Sequence, residues 1–158
     1  MENIILRRFE KKDEDAIYNL HVTVMKHAGT FIYVAKLRKE WDKDLKNIEE
    51  IYIKNKGEFY VATAEDKIIG MGAIRKVDET TAEVKRMRVE PSMQGKGIGK
   101  LILDRLIERA KELGYKKLIL DTGEEQKTAR HLYETRGFKE YNRGEIAGQE
   151  TIYYQVEI

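Results

Sequence analysis

The sequence predicts an α+β protein in which a mixed sheet carries helices on both faces. Runs with strand-like alternation are interrupted by stretches with helical spacing of apolar residues, in the order β, α, α, β, β, β, α, β, α, β, β. No repeat, low-complexity tract or linker divides the chain, and 158 residues with 41% apolar composition suffice for one core. We therefore expect a single domain over residues 1–158.

The first half of the chain contains four strands and two helical regions. The predicted elements are strands over residues 3–9, 58–64, 67–77 and 81–89, and helices over residues 13–26 and 41–52. Segment 27–35 is ambiguous. In the fourth strand the apolar alternation slips by one residue between Val84 and Met87. A β-bulge explains this slip, and a strand buried on both faces is the alternative.

The second half begins with a core helix whose broad apolar face ends at Gly114. The predicted elements of this half are a helix over residues 98–113, a strand over 117–121, a helix over 126–136, and closing strands over 138–141 and 151–158. The central sheet therefore has about seven strands.

Composition narrows the function classes. The 30 Lys and Arg residues against 28 Asp and Glu give a net charge of +2, so no basic excess points to nucleic acid or a membrane surface. No apolar run is long enough for a membrane span or a signal-peptide core, and we expect a soluble, cytoplasmic protein. The charged fraction of 37%, rich in Lys and Glu, is typical of a thermophilic source.

Missing residue types narrow the chemistry further. The chain has no cysteine and Ser92 is its only serine, so a covalent acyl-enzyme has almost no candidate nucleophile. His21, His27 and His131 show neither an HExxH pattern nor metal-ligand spacing. We therefore expect no disulfide and no metal site, and we interpret the histidines as surface or helix-packing residues.

The segment QGKGIGK, residues 94–100, places three glycines at alternate positions before the core helix. A Walker loop fails because its spacing of glycine, lysine and hydroxyl residue is missing. The dinucleotide pattern G-x-G-x-x-G would need glycine at Lys100, although Asp121 stands where a ribose-binding acid would follow, and it stays the lesser alternative. The third pattern, R/Q-x-x-G-x-G/A, is satisfied by Gln94, Gly97 and Gly99.

This loop suits an anion on physical grounds alone. The N–H groups from Gly97 to Lys100 open a helix, where they lack intrahelical acceptors and lie at the positive end of the helix dipole. Glycine lets these donors approach a pyrophosphate without a Cβ clash. Lys96 and Lys100 add positive charge nearby.

At these residues the sequence resembles the GNAT superfamily of N-acetyltransferases. The resemblance extends to AEVKRMRVEP, residues 82–91, which is similar to the family's bulged fourth strand. It also extends to QKTARHLYETRGF, residues 126–138, which is similar to the family segment N-x-x-A-x-x-L-Y-x-x-x-G-F. The resemblance implies a GNAT-like, mostly antiparallel sheet and transfer of an acetyl group from acetyl-CoA to a primary amine, without a metal.

The resemblance also implies roles for individual residues. The residues expected to bind acetyl-CoA are Met87, Arg88, Val89, Gln94, Gly95, Lys96, Gly97, Ile98, Gly99, Lys100, Gln126 and Tyr133. Glu83 matches a general base, with an ion-paired surface glutamate and water-mediated deprotonation as alternatives. Tyr133 matches the tyrosine that meets the leaving sulfur, although its helical stripe with Ala129 and Leu132 also fits plain core packing. Gln126 stands where the family usually has asparagine.

The acceptor is expected to be a small primary amine first and a protein amine second. Residues 27–41 and 143–148, the least patterned segments, are expected to select it. We expect no nucleic-acid or membrane partner, and a homodimer is compatible with the sequence. The alternatives from another class are a non-catalytic acyl-CoA sensor and a nucleotide-binding regulatory domain, in which Glu83 and Tyr133 would be dispensable.

Overall fold

A computed structural model describes residues 3–29 and 40–158. Within these residues seven strands form one sheet in the order β1-β2-β3-β4-β5-β7-β6. The strands are β1 Ile4–Arg8, β2 Glu58–Ala64, β3 Lys67–Lys76, β4 Thr81–Val89, β5 Lys117–Gly123, β6 Lys139–Ile146 and β7 Gln149–Glu157. Neighbouring strands are antiparallel except β4 and β5, which are parallel. The predicted α+β class with a mostly antiparallel sheet is therefore confirmed.

Helices lie on both faces of this sheet, as predicted. The helices that lie wholly within the described residues are α1 Glu14–His27, α2 Ile48–Ile51, α3 Ile98–Glu112 and α4 Lys127–Thr135. One face is covered by α3 and α4, which pack on a core that includes Leu106 and Leu118. The other face carries a second core with Ile17 of α1 and Ile48 of α2. Nothing among the described helices is both long and apolar enough to cross a bilayer.

The second core covers only half of its face. Its buried residues come from α1, α2, the segments beside them and strands up to β3, and none comes from β5, β6 or β7 in the described part of the chain. Strands β5 and β7 contribute buried residues to the α3 core. On their opposite face no second-core residue of the described chain covers them, so this half of the face is open. This open half-face adjoins β4.

The predicted bulge in β4 is confirmed. The pairing register of β3 and β4 shifts between Met71 and Ala73, and at this shift Arg86 and Met87 together face Gly72. Arg86 has a positive φ of 61°. This extra residue explains why the apolar alternation slips, since it returns the following side chains to the α3 face.

The sheet is open on the other side of β4. Strands β4 and β5 pair only over three residues each, from Thr81 to Glu83 and from Lys117 to Ile119. In the described structure the rest of β4, from Val84 to Val89, has no partner on β5. Unpaired backbone is therefore presented to a gap between the two strands, which we call the β4/β5 opening.

Two predicted elements need correction. The helix expected over 41–52 is broken into a 3-10 turn, Lys43–Lys46, and the short α2. Asn47, between them, has φ −140°, and its side-chain amide donates to the Lys43 carbonyl at 2.9 Å. A continuous helix would pair that carbonyl with the backbone N–H of residue 47, so the side chain replaces the helical bond.

The second correction concerns the closing strands. β6 and β7 extend beyond the predicted 138–141 and 151–158 and meet in a hairpin that turns at Ala147 and Gly148, both at positive φ. Residues 143–148, expected to be unpatterned, therefore form the end of this hairpin. Every residue of β6 is exposed, so the edge strand lacks the apolar alternation by which strands are recognised. Most of the other predicted acceptor segment, 27–41, lies outside the described residues.

Candidate active site

The glycine-rich segment connects the end of β4 to the start of α3. A 3-10 turn, Pro91–Met93, follows the strand, and the Glu90 carboxylate accepts a hydrogen bond from the Ser92 amide at 3.0 Å. The side-chain amide of Gln94 donates to the Val89 carbonyl at 3.1 Å. This bond ties the loop to the last residue of β4, so the predicted loop and strand residues form one continuous surface.

The start of α3 is arranged to receive an anion. Gly97 is its N-cap, with φ 83°, and no side chain in the described residues caps the helix. The first-turn N–H groups, at Ile98, Gly99 and Lys100, therefore lack both intrahelical and capping acceptors. A Cβ at Gly97 would meet nothing within 4 Å, so space remains in front of the loop. The helix dipole favours negative charge at this point.

The two lysines of this segment add exposed positive charge. Lys96 and Lys100 are both exposed, on either side of Gly97. The Lys96 ammonium lies 3.8 Å from the Met93 sulfur, a contact that leaves its charge available to a ligand. Among the residues predicted to bind acetyl-CoA, those from 94 to 100 are thus brought together around one helix end.

The side chains from Met87 to Val89 lie on alternate faces of the sheet. The Met87 and Val89 side chains pack against the α3 core, which leaves their backbone to face a ligand. The Arg88 guanidinium donates to the Met87 carbonyl at 2.8 Å and lies 3.5 Å from the Met25 sulfur of α1. The backbone of these three residues borders the β4/β5 opening.

Tyr133 of α4 is a core-packed tyrosine with a polar tip. Its side chain is 6% exposed, and its ring lies 5.9 Å from that of Phe138 and 6.3 Å from that of Tyr154. Its hydroxyl makes no hydrogen bond to the described residues. Burial raises the pKa of Tyr133 to about 12, with Arg88 opposing and Asp121 adding to the shift. The phenol is therefore neutral at physiological pH, within electrostatic reach of charges on β4 and β5.

Glu83 lies at the closed end of the β4/β5 opening. It is the last residue of β4 that pairs with β5, opposite Ile119. One carboxylate oxygen accepts a hydrogen bond from the Arg75 guanidinium at 3.0 Å, and the Glu83 side chain is 17% exposed. The ion-pair alternative for Glu83 is thus present in the structure, on the same open half-face where a base would be needed.

Two residues on this half-face were not predicted to take part in acetyl transfer. The pKa of Asp121 on β5 is raised, first by burial of its carboxyl group and next by the charge of Glu83. The pKa of Lys85 is lowered, first by burial, while Glu83 and Asp121 oppose that shift. The sequence singled out Asp121 only as the end of a strand and as the acid of the dinucleotide alternative. Its proximity to Glu83 depends on the parallel pairing of β4 and β5, which no local pattern encodes.

Gln126 lies at the other border of the opening. It is the N-cap residue of α4, and its side chain makes no capping hydrogen bond within the described residues. Its Cγ would lie 3.6 Å from a Cβ placed on Gly123, so it sits directly beside the end of β5. The predicted site residues therefore form two adjoining groups, one around the start of α3 and one around the opening.

Comparison with known proteins identifies the family and the fold. The model of the acetyltransferase (GNAT) family matches residues 15–138. Human N-acetyltransferase 8 is 34% identical over 102 residues, which are 61% of this chain and 45% of that protein. This chain spans roughly half, or less, of the length of the curated relatives that it matches.

Solved structures share the fold over almost the whole chain. A GNAT-family acetyltransferase from Staphylococcus aureus Mu50 has a TM-score of 0.87 at 21% identity, covering 98% of this chain and 99% of that one. A putative acetyltransferase from Salmonella typhimurium, solved with its cofactor acetyl-CoA, has a TM-score of 0.73 at 20% identity, covering 98% and 93%. At these identities the likeness establishes the fold.

Proposed function

Because this chain belongs to the acetyltransferase (GNAT) family, we propose that it transfers an acetyl group from acetyl-CoA directly to a primary amine of a small molecule or protein. One observation carries the proposal. The uncapped start of α3, with its glycine-rich loop, leads without interruption to unpaired β4 backbone at the β4/β5 opening. An anionic arm and a reactive thioester can therefore be bound by consecutive segments of the chain.

Acetyl-CoA binding follows from the two adjoining groups of residues. The pyrophosphate lies against the N–H groups at the start of α3, where Lys96 and Lys100 supply positive charge. The pantetheine arm enters the β4/β5 opening and contacts the backbone of residues 87–89. Gln126 borders that opening, so its unused amide contacts the arm from the α4 side.

The reaction needs a neutral amine. An ammonium with a pKa of about 10.4 is neutral in only about 1 molecule in 2,500 at pH 7, a deficit of roughly 4.6 kcal/mol. Glu83, or a water molecule bound beside it, accepts the proton. The amine nitrogen then attacks the thioester carbonyl carbon to form the C–N bond. An N–H of the bulge donates to the resulting oxyanion. The attacking nitrogen, now positively charged, loses its second proton to solvent. Collapse of the oxyanion then re-forms the C=O bond, breaks the C–S bond and releases CoA thiolate.

Tyr133 stabilises the leaving thiolate as a hydrogen-bond donor. With a pKa of about 12 for Tyr133 and about 8.5 for an ordinary thiol, full transfer of the phenol proton would be uphill by about 5 kcal/mol. A hydrogen bond to the developing thiolate needs no such transfer. The CoA thiol therefore takes its proton from solvent or from the protonated base.

The acceptor is a small primary amine, and a protein amine is the second candidate. The open half-face supports this order, because Glu83 and Asp121 offer carboxylates to one ammonium while Lys85 interrupts any extended acidic surface. A polycation would need a larger cluster of acids. The same binding residues without turnover would describe an acyl-CoA sensor.

An amine panel tests the function. Purified protein is incubated with acetyl-CoA and amino acids, polyamines, aminoglycosides or short peptides, and free CoA is followed with a thiol reagent. We expect release above the hydrolysis background with at least one small amine. Release with peptides alone would favour the second acceptor class. Tight acetyl-CoA binding without release from any amine would favour the sensor.

Location, source and assembly are proposals of the same kind. The proposed cytoplasmic location rests on the short apolar runs of the sequence, and the proposed thermophilic source rests on the charged fraction of 37%. We treat residues 1–158 as one domain that acts as a monomer or a homodimer. Gel filtration with light scattering distinguishes these two assemblies.

A further inference from the structure

Arg86, the residue at which β4 bulges, combines an unfavourable backbone conformation with a buried charge. Its φ of 61° lies in the left-handed region, which disfavours a residue that carries a Cβ. Its side chain is only 11% exposed. A strained residue persists only where its surroundings determine it, so the contacts of this side chain must hold the conformation.

The guanidinium is held by the segment that precedes α2. It donates to Asp44 twice, from Nη2 to Oδ1 at 2.6 Å and from Nε to Oδ2 at 3.0 Å. Nη2 also donates to the Trp41 carbonyl at 2.7 Å, and Nη1 lies 3.5 Å from Asp42 Oδ1. This two-pronged geometry fixes both the position and the orientation of the arginine.

The acids that hold Arg86 are themselves fixed. The Tyr52 hydroxyl donates to Asp44 at 2.5 Å, and His21 of α1 lies 3.1 Å from Asp42. All four residues are buried. Although burial acts to raise it, the pKa of Asp44 is lowered, because the hydrogen bond and charge of Arg86 outweigh burial. The pair is thus charged at neutral pH.

The bulge is also held by packing on the α3 side of the sheet. A Cβ on Gly72, the residue opposite the bulge, would lie 2.6 Å from the Met87 sulfur. Met87 therefore fills the space that the missing side chain of Gly72 leaves. Successive residues of the bulge are anchored on opposite faces of the sheet, Arg86 towards α1 and Met87 towards α3.

From these contacts we propose that Arg86 is a positioning residue for acetyl transfer. Through Asp44 it fixes the bulge and thereby the backbone that borders the β4/β5 opening. The inference rests on the proposed function, because it assigns that backbone to the thioester. The Arg86 guanidinium is occupied by Asp44 and the Trp41 carbonyl, so its assigned role is through the backbone and not through contact with a reactant. Its loss therefore lowers kcat, while the N–H groups at the start of α3 that bind the pyrophosphate stay in place.

Three variants separate positioning from folding. Arg86→Gly removes the ion pair but allows the left-handed conformation, Arg86→Lys keeps the charge without the two-pronged geometry, and Arg86→Gly with Asp44→Asn also removes the unpaired carboxylate. We measure kcat, KM for acetyl-CoA and the urea midpoint of each. A displacement of about 1 Å can cost about 100-fold in rate, which is the loss of kcat expected for Arg86→Gly, with a smaller loss for Arg86→Lys.

The double variant gives the decisive comparison. We expect it to regain part of the stability lost in Arg86→Gly, because no Asp44 carboxylate is left without its two-pronged partner, while its kcat stays low. Recovery of both kcat and stability would show that the ion pair only stabilises the fold, and it would overturn the proposal. Wild-type kcat in Arg86→Gly would likewise overturn the proposal.

A matched control and an activity-free measurement complete the test. Glu58 is a buried carboxylate that accepts from Arg8 at 2.7 and 2.8 Å, away from the opening. Arg8→Gly with Glu58→Gln should leave kcat unchanged. Amide hydrogen exchange of residues 84–88 without ligand should be faster in Arg86→Gly than in wild type, and equal rates would overturn the positioning. If no amine gives turnover in wild type, the proposed function fails. The exchange comparison still decides whether Arg86 fixes the backbone of the bulge.

Discussion

The hydroxyl of Tyr133 is the smallest group on which the proposed chemistry depends. Tyr133→Phe keeps the ring between Phe138 and Tyr154 and removes only a hydroxyl that has no protein partner in the described structure. The melting temperature should therefore hardly change. Loss of one donor to a developing negative charge should lower kcat about 100-fold, measured as CoA release at saturating acetyl-CoA.

Tyr115 provides the control for this substitution. Tyr115 is also buried, and its hydroxyl donates to the Lys56 carbonyl at 2.6 Å. Tyr115 has no role in the proposed reaction. Tyr115→Phe should lower stability by about 1 kcal/mol and leave kcat unchanged. An unchanged kcat in Tyr133→Phe would instead assign Tyr133 to the core alone.

The ionised Asp121 carboxylate should destabilise the folded state at neutral pH. Its pKa is raised, first by burial and then by Glu83, so the folded state binds this proton more tightly than the unfolded state. Stability therefore falls as pH rises from the unfolded pKa through the folded pKa. Asp121→Asn should raise the melting temperature at pH 7 and have no effect at about pH 3, where both states carry the proton.

The pKa of Asp78 is shifted in the opposite direction to that of Asp121, so Asp78 serves as the control. Its pKa is lowered, first by the hydrogen bond from the Thr80 amide, so its contribution to stability is present above the unfolded pKa and lost on acidification. Asp78→Asn should lower the melting temperature at pH 7. A lower melting temperature for Asp121→Asn at pH 7 would contradict the repulsion from Glu83.

At the scale of elements, the sequence predicted the strand limits and the bulge, because these depend on local side-chain patterns. The strand limits of β2 and β4 agree with the sequence, and the slip between Val84 and Met87 identified the bulge, because side-chain burial alternates with a period of two. The edge strand β6 was underestimated because it buries no residue. The proximity of Glu83 and Asp121, and the capture of Arg86 by Asp44, depend on contacts between distant segments and have no local pattern.

Gly97 and Gly114 form a natural pair for testing the loop before α3. Both have positive φ, 83° and 90°, and a Cβ on either would meet nothing within 4 Å. Each Gly→Ala substitution should therefore cost about 1–2 kcal/mol of stability through backbone strain alone. Only Gly97→Ala should weaken acetyl-CoA binding, by about tenfold, the equivalent of one hydrogen bond to a charged group.

Isothermal titration calorimetry with acetyl-CoA measures this difference directly. Gly114 follows the far end of α3, so its substitution reproduces the strain without touching the start of the helix. Equal affinities in the two variants would show that the backbone at Gly97 does not contact the pyrophosphate. The anion site would then have to lie elsewhere along residues 94–100.

At the scale of the whole molecule, the sheet consists of two parts joined at β4 and β5. Three residues of each strand pair, and beyond them the α3 core on one face continues across both parts. The second core has no buried residue beyond β3, so the opposite face lacks such a connection in the described residues. A ligand in the opening therefore contacts both parts of the sheet and should stabilise them together.

Acetyl-CoA should accordingly raise the melting temperature. A ligand at 100 times its Kd adds about 2.7 kcal/mol to the free energy of unfolding, which for a chain of this size corresponds to a rise of about 5–10 °C. CoA itself should give most of this rise, because it carries the same pyrophosphate and arm. NAD and ATP should give none, since the loop lacks the Walker spacing and the third dinucleotide glycine. An equal rise with NAD would favour a dinucleotide site, and no rise with acetyl-CoA would overturn the proposed function at its first step.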